Sequence, residues 1–526
     1  MEFAAPVTSV ADVLRGHALA RSSASAISSD DRTFTFADLD RRSNQVAQAL
    51  AADGVGAGDR VAFLDSNSSE FFEVFFGAAK LGAVTVAVSW RLASRELEAV
   101  IDDSCAEVVV VAADFADVLA DGAIRMPRVK RILVIGGAGP ENYEDWVSSA
   151  AAIDPRATRS GDDVVLQLYT SGTTGLPKGA MLTERNLLTL MPQGGPTLGL
   201  GADSVNLVAM PLFHIGGSGY ALMGFYEGCH TVLLRQADPA VMLAVIESCR
   251  VTNMFVVPAV LLFLLGAERI DEVDLSTLRT VAYGASPISV DLLSRSLAIF
   301  ACDFVQVYGL TETTGTVTLL SASDHRVASE GSDARRLWSA GRPLDGVGLR
   351  IVSVDTGSAL GTEEVGEIWV RSDQVSPGYW LKPEETAAAI TADGWFRTGD
   401  LGSLDSDGYL YIHDRLKDMI ISGGENVYPA EVENVLMSHP AIADVAVIGV
   451  PSQRWGETVK AIVVPASGQA PEPAELIDFC RARLAHFKCP TSVGFLDALP
   501  RNASGKILKR SLRHDHTGGP DEYEPG

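Results

Sequence analysis

The sequence has little cysteine, and its cysteines are not arranged to share a metal. Six cysteines are scattered over 526 residues, and no two of them form a C-x-x-C pair. This spacing disfavours a zinc site. Scattered cysteines in a long chain are typical of reduced, mostly buried thiols, so we expect a cytoplasmic protein.

Basic residues are also few relative to acidic ones. Lys and Arg number 42 against 67 Asp and Glu, which gives a formal net charge of -25. Binding to nucleic acid needs basic patches, so we expect no nucleic-acid partner. Any anionic substrate must then be held by local groups.

Long apolar runs are missing as well. The longest, Met254–Ala267, contains Pro258 and is too short to span a bilayer, so it is interpreted as a core segment. The N-terminus lacks the basic start and apolar core of a signal peptide. We expect no transmembrane segment, while peripheral membrane contact through an apolar patch stays open.

Short β-branched runs alternate with amphipathic stretches through most of the chain. Residues 35–54 have helical periodicity with Thr35 as a cap, and strand-like runs such as RVAFLDS and EVVVVA follow along the chain. This alternation predicts an α/β fold with layered, mostly parallel sheets. After about residue 360 the pattern predicts a β-subdomain and then a compact α+β domain. We place the domains at residues 1–416 and 417–526.

A loop rich in glycine and hydroxyl groups, YTSGTTGLPK (Tyr169–Lys178), separates a predicted strand from a predicted turn and helix. Glycines let backbone N–H groups converge on an anion, hydroxyls donate hydrogen bonds, and lysine adds charge. The spacing does not fit the G-x-x-x-x-G-K-[ST] loop, because Pro177 stands five places after Gly172 and Gly179 follows the lysine. The pattern predicts a phosphate loop of another kind.

Four further motifs accompany this loop. They are YGLTET (Tyr308–Thr313), WFRTGD (Trp395–Asp400), DRLKDMIISGGENVYP (Asp414–Pro429) and PRNASGKI (Pro500–Ile507). In this order the motifs resemble the adenylate-forming superfamily of acyl-CoA synthetases, beetle luciferases and peptide-synthetase adenylation domains. The resemblance covers residues 34–508 and is greatest to bacterial fatty-acyl-CoA synthetases. It implies a large, multi-subdomain N-terminal domain and a small mobile C-terminal domain.

The resemblance implies an ATP-dependent carboxylic acid:CoA ligase, with Mg²⁺ and CoA as its other requirements. A carboxylate attacks the α-phosphate of ATP to give acyl-AMP and pyrophosphate, and the thiol of CoA then releases AMP. A stand-alone enzyme that loads a carrier protein and a non-catalytic nucleotide-binding protein are the alternatives. The chain is expected to be a monomer or a homodimer.

The resemblance also assigns the nucleotide site. The residues that would wrap the β- and γ-phosphates are Thr170, Ser171, Gly172, Thr173, Thr174, Gly175 and Lys178. Tyr308, followed by Gly309, would stack on adenine, Thr311 would bind the α-phosphate, and Glu312 would hold Mg²⁺ through hard carboxylate oxygen. A core tyrosine and a helix-capping pair are the alternatives for these positions.

Further residues complete the nucleotide and acyl sites in the same way. Gly284, Ala285 and Ser286 would line the pocket, although many relatives have glycine where Ala285 stands. Asp400 would bind both ribose hydroxyls, and Arg415 would reach the nucleotide. A turn aspartate and a surface salt bridge are their alternatives.

The C-terminal domain would supply the second set of groups. Lys506 would neutralise the charge that develops between the carboxylate and the α-phosphate. Lys417 matches the family's hinge, where rotation would withdraw Lys506. Gly423 and Gly424 would then let the pantetheine arm of CoA approach, with Trp455 as a wall or as a core residue.

The acid is indicated by MPLFHIGGSG (Met210–Gly219). Relatives that activate amino acids have Asp just after the Phe, whereas His214 stands here as a pocket residue, with a general base as the alternative. Ser218 replaces the gating Trp of some long-chain synthetases. Together with Ile215 and Gly216, these residues predict an open pocket. A medium- or long-chain fatty acid, a steroid side-chain acid or an aryl acid would fit it.

Overall fold

The computed structural model describes residues 6–30, 32–120, 126–170, 177–329, 334–422, 425–452, 454–501 and 507–516. Some sequence predictions lie outside these residues. They concern Ser171, Gly172, Thr173, Thr174, Gly175, Gly423, Gly424 and Lys506.

Helices and strands alternate along the chain. The α-helices are α1 Val10–Ala20, α2 Phe36–Ala52, α3 Ser69–Leu81, α4 Ser94–Ser104, α5 Ala113–Ala120, α6 Tyr143–Ser148, α7 Glu184–Thr197, α8 Ile215–Glu227, α9 Pro239–Ser248, α10 Pro258–Leu265, α11 Val290–Phe300, α12 Ala322–Ser329, α13 Pro383–Ala389, α14 Pro429–Met437, α15 Pro473–Arg481 and α16 Lys509–His516. The first fifteen strands are β1 Ser25–Ser29, β2 Arg32–Thr35, β3 Arg60–Leu64, β4 Val84–Ala87, β5 Ala106–Ala112, β6 Arg131–Ile135, β7 Val164–Thr170, β8 Lys178–Thr183, β9 Val205–Val208, β10 His230–Leu233, β11 Asn253–Val256, β12 Thr280–Gly284, β13 Asp303–Leu310, β14 Gly315–Leu320 and β15 Arg342–Pro343. The remaining strands are β16 Gly348–Val352, β17 Gly366–Arg371, β18 Phe396–Leu404, β19 Leu410–Arg415, β20 Ile420–Ser422, β21 Glu425–Val427, β22 Ile442–Ser452, β23 Gly456–Pro465 and β24 Ser492–Phe495.

Two sheets with mostly parallel strands make up the large domain. One has the strand order β6-β5-β3-β4-β7-β8, and the other has the order β15-β14-β13-β12-β11-β9-β10-β1-β2. The predicted strands RVAFLDS and EVVVVA become β3 and β5, which pair in parallel and are almost entirely buried. Such continuous apolar strands are stable only where helices cover both faces of a sheet.

Helix α2 shows how the local sequence sets an element's start. The Thr35 hydroxyl accepts a hydrogen bond from the Asp38 N–H at 3.1 Å, and the Asp38 carboxylate accepts one from the Thr35 N–H at 3.2 Å. This reciprocal pair is the capping box. The predicted cap is confirmed.

One local prediction is wrong. Residues 178–183 form strand β8 rather than a turn, because they pair with the preceding strand β7 in an antiparallel hairpin. The run Met254–Ala267 is confirmed as a core segment, since most of its apolar side chains are buried, although helix α10 leaves Leu262 and Phe263 exposed at the surface. No helix among the described residues is long and apolar enough to cross a bilayer.

Two smaller units follow. Strands β16 to β19 form an antiparallel sheet around Ile351, Ile368 and Leu410. Strands β20 to β24 form the last sheet, with β24 parallel to β23, and this sheet packs against α14, α15 and α16. The predicted fold class, layered α/β sheets with a β-subdomain and a small α+β domain, is confirmed. The domain boundary at 416/417 lies between β19 and β20 and stays a prediction.

Candidate active site

Asp400 is the centre of the first polar cluster, at the point where three strands meet. The Tyr308 hydroxyl of β13 donates to Asp400 Oδ2 at 2.7 Å, and Arg415 of β19 forms an ion pair with Asp400, with Nε 2.8 Å from Oδ1. Asp400 is 3 % exposed and lies within strand β18, not in a turn. Its two oxygens keep further lone pairs, which suits acceptance from a vicinal diol.

The donors of this cluster are held in their protonated forms. Burial raises the pKa of Tyr308 well above its usual value, and the neighbouring Asp400 raises it further, so the phenol stays a donor. Burial alone would lower the pKa of Arg415, but Asp400, Tyr308 and Glu312 together raise it above its usual value. The guanidinium therefore lies in the field of both acidic groups of the site.

The turn after Tyr308 is closely packed. A Cβ at Gly309 would lie 1.6 Å from the Gly315 carbonyl oxygen, so glycine is required there. A short 3-10 turn, Thr311–Thr313, follows, and its N-cap is Leu310 rather than Thr311. The Thr311 hydroxyl makes no hydrogen bond with the described residues, so it stays available to a phosphate oxygen.

Glu312 is the centre of the second cluster, and one of its partners was not predicted. The Tyr379 hydroxyl donates to Glu312 Oε1 at 2.8 Å, and the Thr170 hydroxyl lies 3.4 Å from the same oxygen. The Lys178 ammonium lies 5.3 Å above the centre of the Tyr379 ring. The structure thus brings together three predicted residues, Thr170, Lys178 and Glu312, and adds Tyr379.

Glu312 suits a magnesium ion held mainly by phosphates. Its side chain is buried, and Oε2 accepts no hydrogen bond from the part of the chain that is described. The same part contains no group of three or more His, Cys, Asp or Glu that could hold a metal. Mg²⁺ commonly takes one or two carboxylates and completes its shell with substrate phosphates and water, so the donor set fits this ion.

The segment predicted to line the acyl pocket leads into α8, whose N-cap is His214. The His214 ring packs against Phe213, with ring centres 4.5 Å apart, and the fully buried Ser218 hydroxyl donates to the His214 carbonyl at 3.1 Å. The glycines of this segment leave less room for an acyl chain than the sequence predicted. A Cβ at Gly217 would lie 2.2 Å from the Pro211 carbonyl oxygen, and one at Gly216 would lie 3.0 Å from Phe255. Close packing therefore accounts for part of the small-residue run.

Asn67, which no sequence motif indicated, follows β3 of the other sheet and hydrogen-bonds to the segment before His214. Its Nδ2 donates to the Met210 carbonyl at 3.0 Å and to the Leu234 carbonyl at 2.9 Å, and its Oδ1 accepts from the Leu212 N–H at 2.9 Å. Asn67 is 2 % exposed. All three partners are backbone groups more than 140 residues away, so no local pattern could have revealed them.

We expect Asn67→Ala to raise the dissociation constant of the acid about tenfold and to leave that of ATP within about twofold. Each hydrogen bond lost at a buried site costs on the order of 1 kcal/mol, and the loop before His214 loses two, while the third lost bond is to the Leu234 carbonyl. Ser66→Ala is the matched control, because Ser66 is also buried but bonds only to its neighbour Asp65 among the described residues. Separate titrations with the acid and with ATP measure the two dissociation constants. An equal loss for both ligands contradicts the prediction.

The predicted pocket residues 284–286 begin at Gly284, the last residue of β12. A Cβ at Gly284 would lie 2.3 Å from the Val307 carbonyl oxygen. Ala285 has φ of 65°, in the left-handed region that favours glycine. Left-handed backbone costs a residue with a Cβ about 1–2 kcal/mol, so the alanine is a strained choice where relatives have glycine.

In the C-terminal domain, Lys417 lies exposed in a turn between β19 and β20. Trp455 is 46 % exposed, with the Arg454 guanidinium 4.8 Å from its ring centre. The core-packing alternative for Trp455 is therefore wrong. The residue's role toward CoA stays a prediction.

We expect Asp414, next to Arg415, to make the stability of the fold depend on pH. Burial raises the pKa of Asp414 from 3.8 to about 6, against the opposing effects of Lys509 and of the Ala430 and Arg415 N–H groups and with Glu433 adding to the rise. Between pH of about 4 and about 6 the folded chain retains a proton that the unfolded chain has lost, so stability falls as pH rises.

Asp414→Asn removes this titration. The melting temperature of the variant, relative to wild type, should increase between pH 4 and pH 6 and stay constant above that range. The gain should correspond to on the order of 1–3 kcal/mol. If the melting temperatures of the two proteins differ by the same amount at every pH in this range, the assignment is contradicted.

Comparisons with known proteins agree with this geometry. Residues 14–380 match the family model of the AMP-binding enzymes, and residues 431–506 match the model of the AMP-binding enzyme C-terminal domain. The chain belongs to the AMP-binding enzyme family. The resemblance of its five motifs to adenylate-forming enzymes is thereby confirmed.

Individual relatives align with nearly the whole chain. A fatty acid–[acyl-carrier-protein] ligase of Streptomyces coeruleorubidus is 39 % identical, and the alignment covers 94 % of each chain. A feruloyl-CoA synthase of Amycolatopsis is 41 % identical over 93 % of this chain and 95 % of its own. The crystal structure of the anthranilate CoA ligase AuaEII with anthranoyl-AMP superposes with a TM-score of 0.89 at 28 % identity, over 97 % of this chain and 98 % of that one.

Membership defines the general reaction of this AMP-binding enzyme. It is an ATP-dependent acid–thiol ligase that works through an acyl adenylate, as the motifs predicted. The roles of the individual side chains stay predictions.

Proposed function

We propose that this enzyme is a carboxylic acid:CoA ligase for a hydrophobic acid, such as a medium- or long-chain fatty acid, a steroid side-chain acid or an aryl acid. The arrangement of two polar clusters on either side of the Tyr308–Glu312 segment carries the proposal. Asp400 offers lone pairs for a ribose, whereas Glu312 and Lys178 offer a carboxylate and an ammonium for a polyphosphate.

The chain's own residues would act in sequence on ATP. Tyr308 and Asp400 would hold the adenosine, and Thr311 would bind the α-phosphate. An oxygen of the substrate carboxylate attacks the α-phosphorus, and the bond between the α-phosphorus and the oxygen that bridges to the β-phosphate breaks. Lys506 would neutralise the charge on the equatorial oxygens of the α-phosphate. Glu312 would hold Mg²⁺, which supplies charge neutralisation on the phosphates when bound.

The second half-reaction would use the other face of the C-terminal domain. Rotation at Lys417 would remove Lys506 and place Gly423, Gly424 and Trp455 at the site. The thiol of CoA then attacks the acyl carbon, its proton passes to water, and the bond to AMP breaks. His214 stands where relatives that activate amino acids have Asp, and this disfavours an α-amino acid as the acyl donor. A cytoplasmic location and a monomeric or dimeric state stay predictions.

Carrier loading is the second candidate, because the Streptomyces relative is a fatty acid–carrier-protein ligase. We would incubate the enzyme with ATP, Mg²⁺ and a panel of acids, alone, with CoA, or with a phosphopantetheinylated carrier protein. AMP release that requires CoA supports the proposed function. Release that requires the carrier supports the second candidate, and no AMP release with any acid and acceptor rejects both.

A further inference from the structure

We propose that Tyr379 is a positioning residue that aligns Glu312 and Lys178 for the metal-bound polyphosphate of ATP. The inference rests on the proposed function, because it concerns how the same nucleotide site is assembled. It adds a residue that lies outside all five motifs and outside the roles that those motifs imply.

The Tyr379 side chain contacts both charged groups. Its hydroxyl donates to Glu312 Oε1 at 2.8 Å, and its ring centre lies 5.3 Å from the Lys178 ammonium. Thr170 approaches the same carboxylate oxygen, so Oε2 is the oxygen left for a ligand. One aromatic side chain thus fixes the orientation of the acid while its face attracts the cation.

The backbone around Tyr379 is anchored independently of its side chain. The Met181 N–H donates to the Gly378 carbonyl at 3.1 Å, the Trp380 N–H donates to the Gly179 carbonyl at 2.8 Å, and Tyr379 pairs with Ala180. The segment therefore continues the sheet beside β8, the strand that starts at Lys178. A substitution of the side chain should leave these bonds in place.

The neighbouring aromatic residue has a different partner. Tyr379 donates to Glu312, whereas the centre of the Trp380 ring lies 3.3 Å from the Arg60 guanidinium. Trp380 is therefore a matched control: the next residue along the chain, also aromatic, whose ring contacts a cation other than Lys178.

The two contacts of the Tyr379 side chain can be removed separately, because the hydroxyl contacts Glu312 and the ring contacts Lys178. Phenylalanine at this position would keep the ring beside Lys178 and remove only the donated hydrogen bond. Leucine would remove both.

The test measures binding rather than turnover. Mn²⁺ is titrated by electron paramagnetic resonance into wild type, Tyr379→Phe, Tyr379→Leu and Trp380→Phe, each saturated with α,β-methylene-ATP. AMP binding is measured by calorimetry in parallel. We expect Tyr379→Phe to weaken Mn²⁺ binding about tenfold, since a hydrogen bond to a charged group is lost. AMP affinity should stay unchanged, and Trp380→Phe should match wild type.

Measurements without metal separate the effect of the Tyr379 hydroxyl on Glu312 from the effect of the Tyr379 ring on Lys178. Affinity for the analogue alone should stay at the wild-type level in Tyr379→Phe and fall about threefold in Tyr379→Leu, because only leucine removes the ring from Lys178. Wild-type Mn²⁺ affinity in Tyr379→Phe would overturn the inference, as would an equal loss of AMP affinity. A wild-type enzyme that binds no Mn²⁺ with the analogue would instead reject the proposed nucleotide site itself.

Discussion

Lys506→Ala is expected to lower acyl-adenylate formation by about 100- to 1,000-fold, the usual cost of removing a group that stabilises transition-state charge. Thioester formation from supplied acyl-AMP should stay within about threefold of wild type, because that step follows the departure of pyrophosphate and, in the proposed mechanism, would use the other face of the domain. Pyrophosphate exchange measures the first half, and single-turnover release of AMP from acyl-AMP and CoA measures the second. Lys506 lies outside the described residues, so its role comes from the PRNASGKI motif.

The control for this experiment is Arg510→Ala. Arg510 is an exposed cation four residues further along, at the start of α16. We expect it to change neither half-reaction, because the charge of an exposed side chain is screened by solvent. A loss of both halves in Lys506→Ala, or an equal loss in Arg510→Ala, would refute a specific role in adenylation.

Most of the fold was predictable because the local signals agree with the tertiary structure. The uninterrupted apolar run of β5 suits only a strand covered on both faces, and Thr35 and Asp38 form the start of α2 from a four-residue pattern. β8 was missed because Lys178–Thr183 has no strong alternation of its own. Its partner β7 determines its conformation, and a pairing of that kind is a non-local property.

The candidate site divides in a similar way. Tyr308, Glu312, Asp400 and Arg415 stand in motifs whose residue types suit phosphate and ribose chemistry, and the structure brings them together. Tyr379 and Asn67 carry no such signal. Tyr379 stands in a Pro-Gly stretch that favours a loop, and it reaches Glu312 only because that stretch pairs with β8. Asn67 recognises backbone groups, which look alike in every sequence.

Lys417→Pro is expected to reduce thioester formation by about 100-fold, the scale of a misplaced reacting group, while adenylation stays near wild type. The Asp418 N–H donates to the Arg415 carbonyl at 2.9 Å, and the Leu416 N–H donates to the Gly399 carbonyl at 2.9 Å. The Lys417 N–H makes no hydrogen bond within the described residues, so proline removes none there. Proline fixes φ near -65°, which opposes the dihedral change that a hinge must absorb.

Lys417→Ala separates the backbone from the side chain in this experiment. Lys417 is exposed, so alanine should leave both half-reactions within about twofold of wild type if the residue acts through its dihedral angles. The affinity for AMP shows whether proline has disturbed the neighbouring pair of Arg415 and Asp400, which holds the nucleotide site together. Because the proposed domain rotation would be needed only between the two half-reactions, a Lys417→Pro enzyme should accumulate acyl-AMP. Unchanged overall turnover, or a loss in Lys417→Ala equal to that in Lys417→Pro, would show that Lys417 is not the hinge.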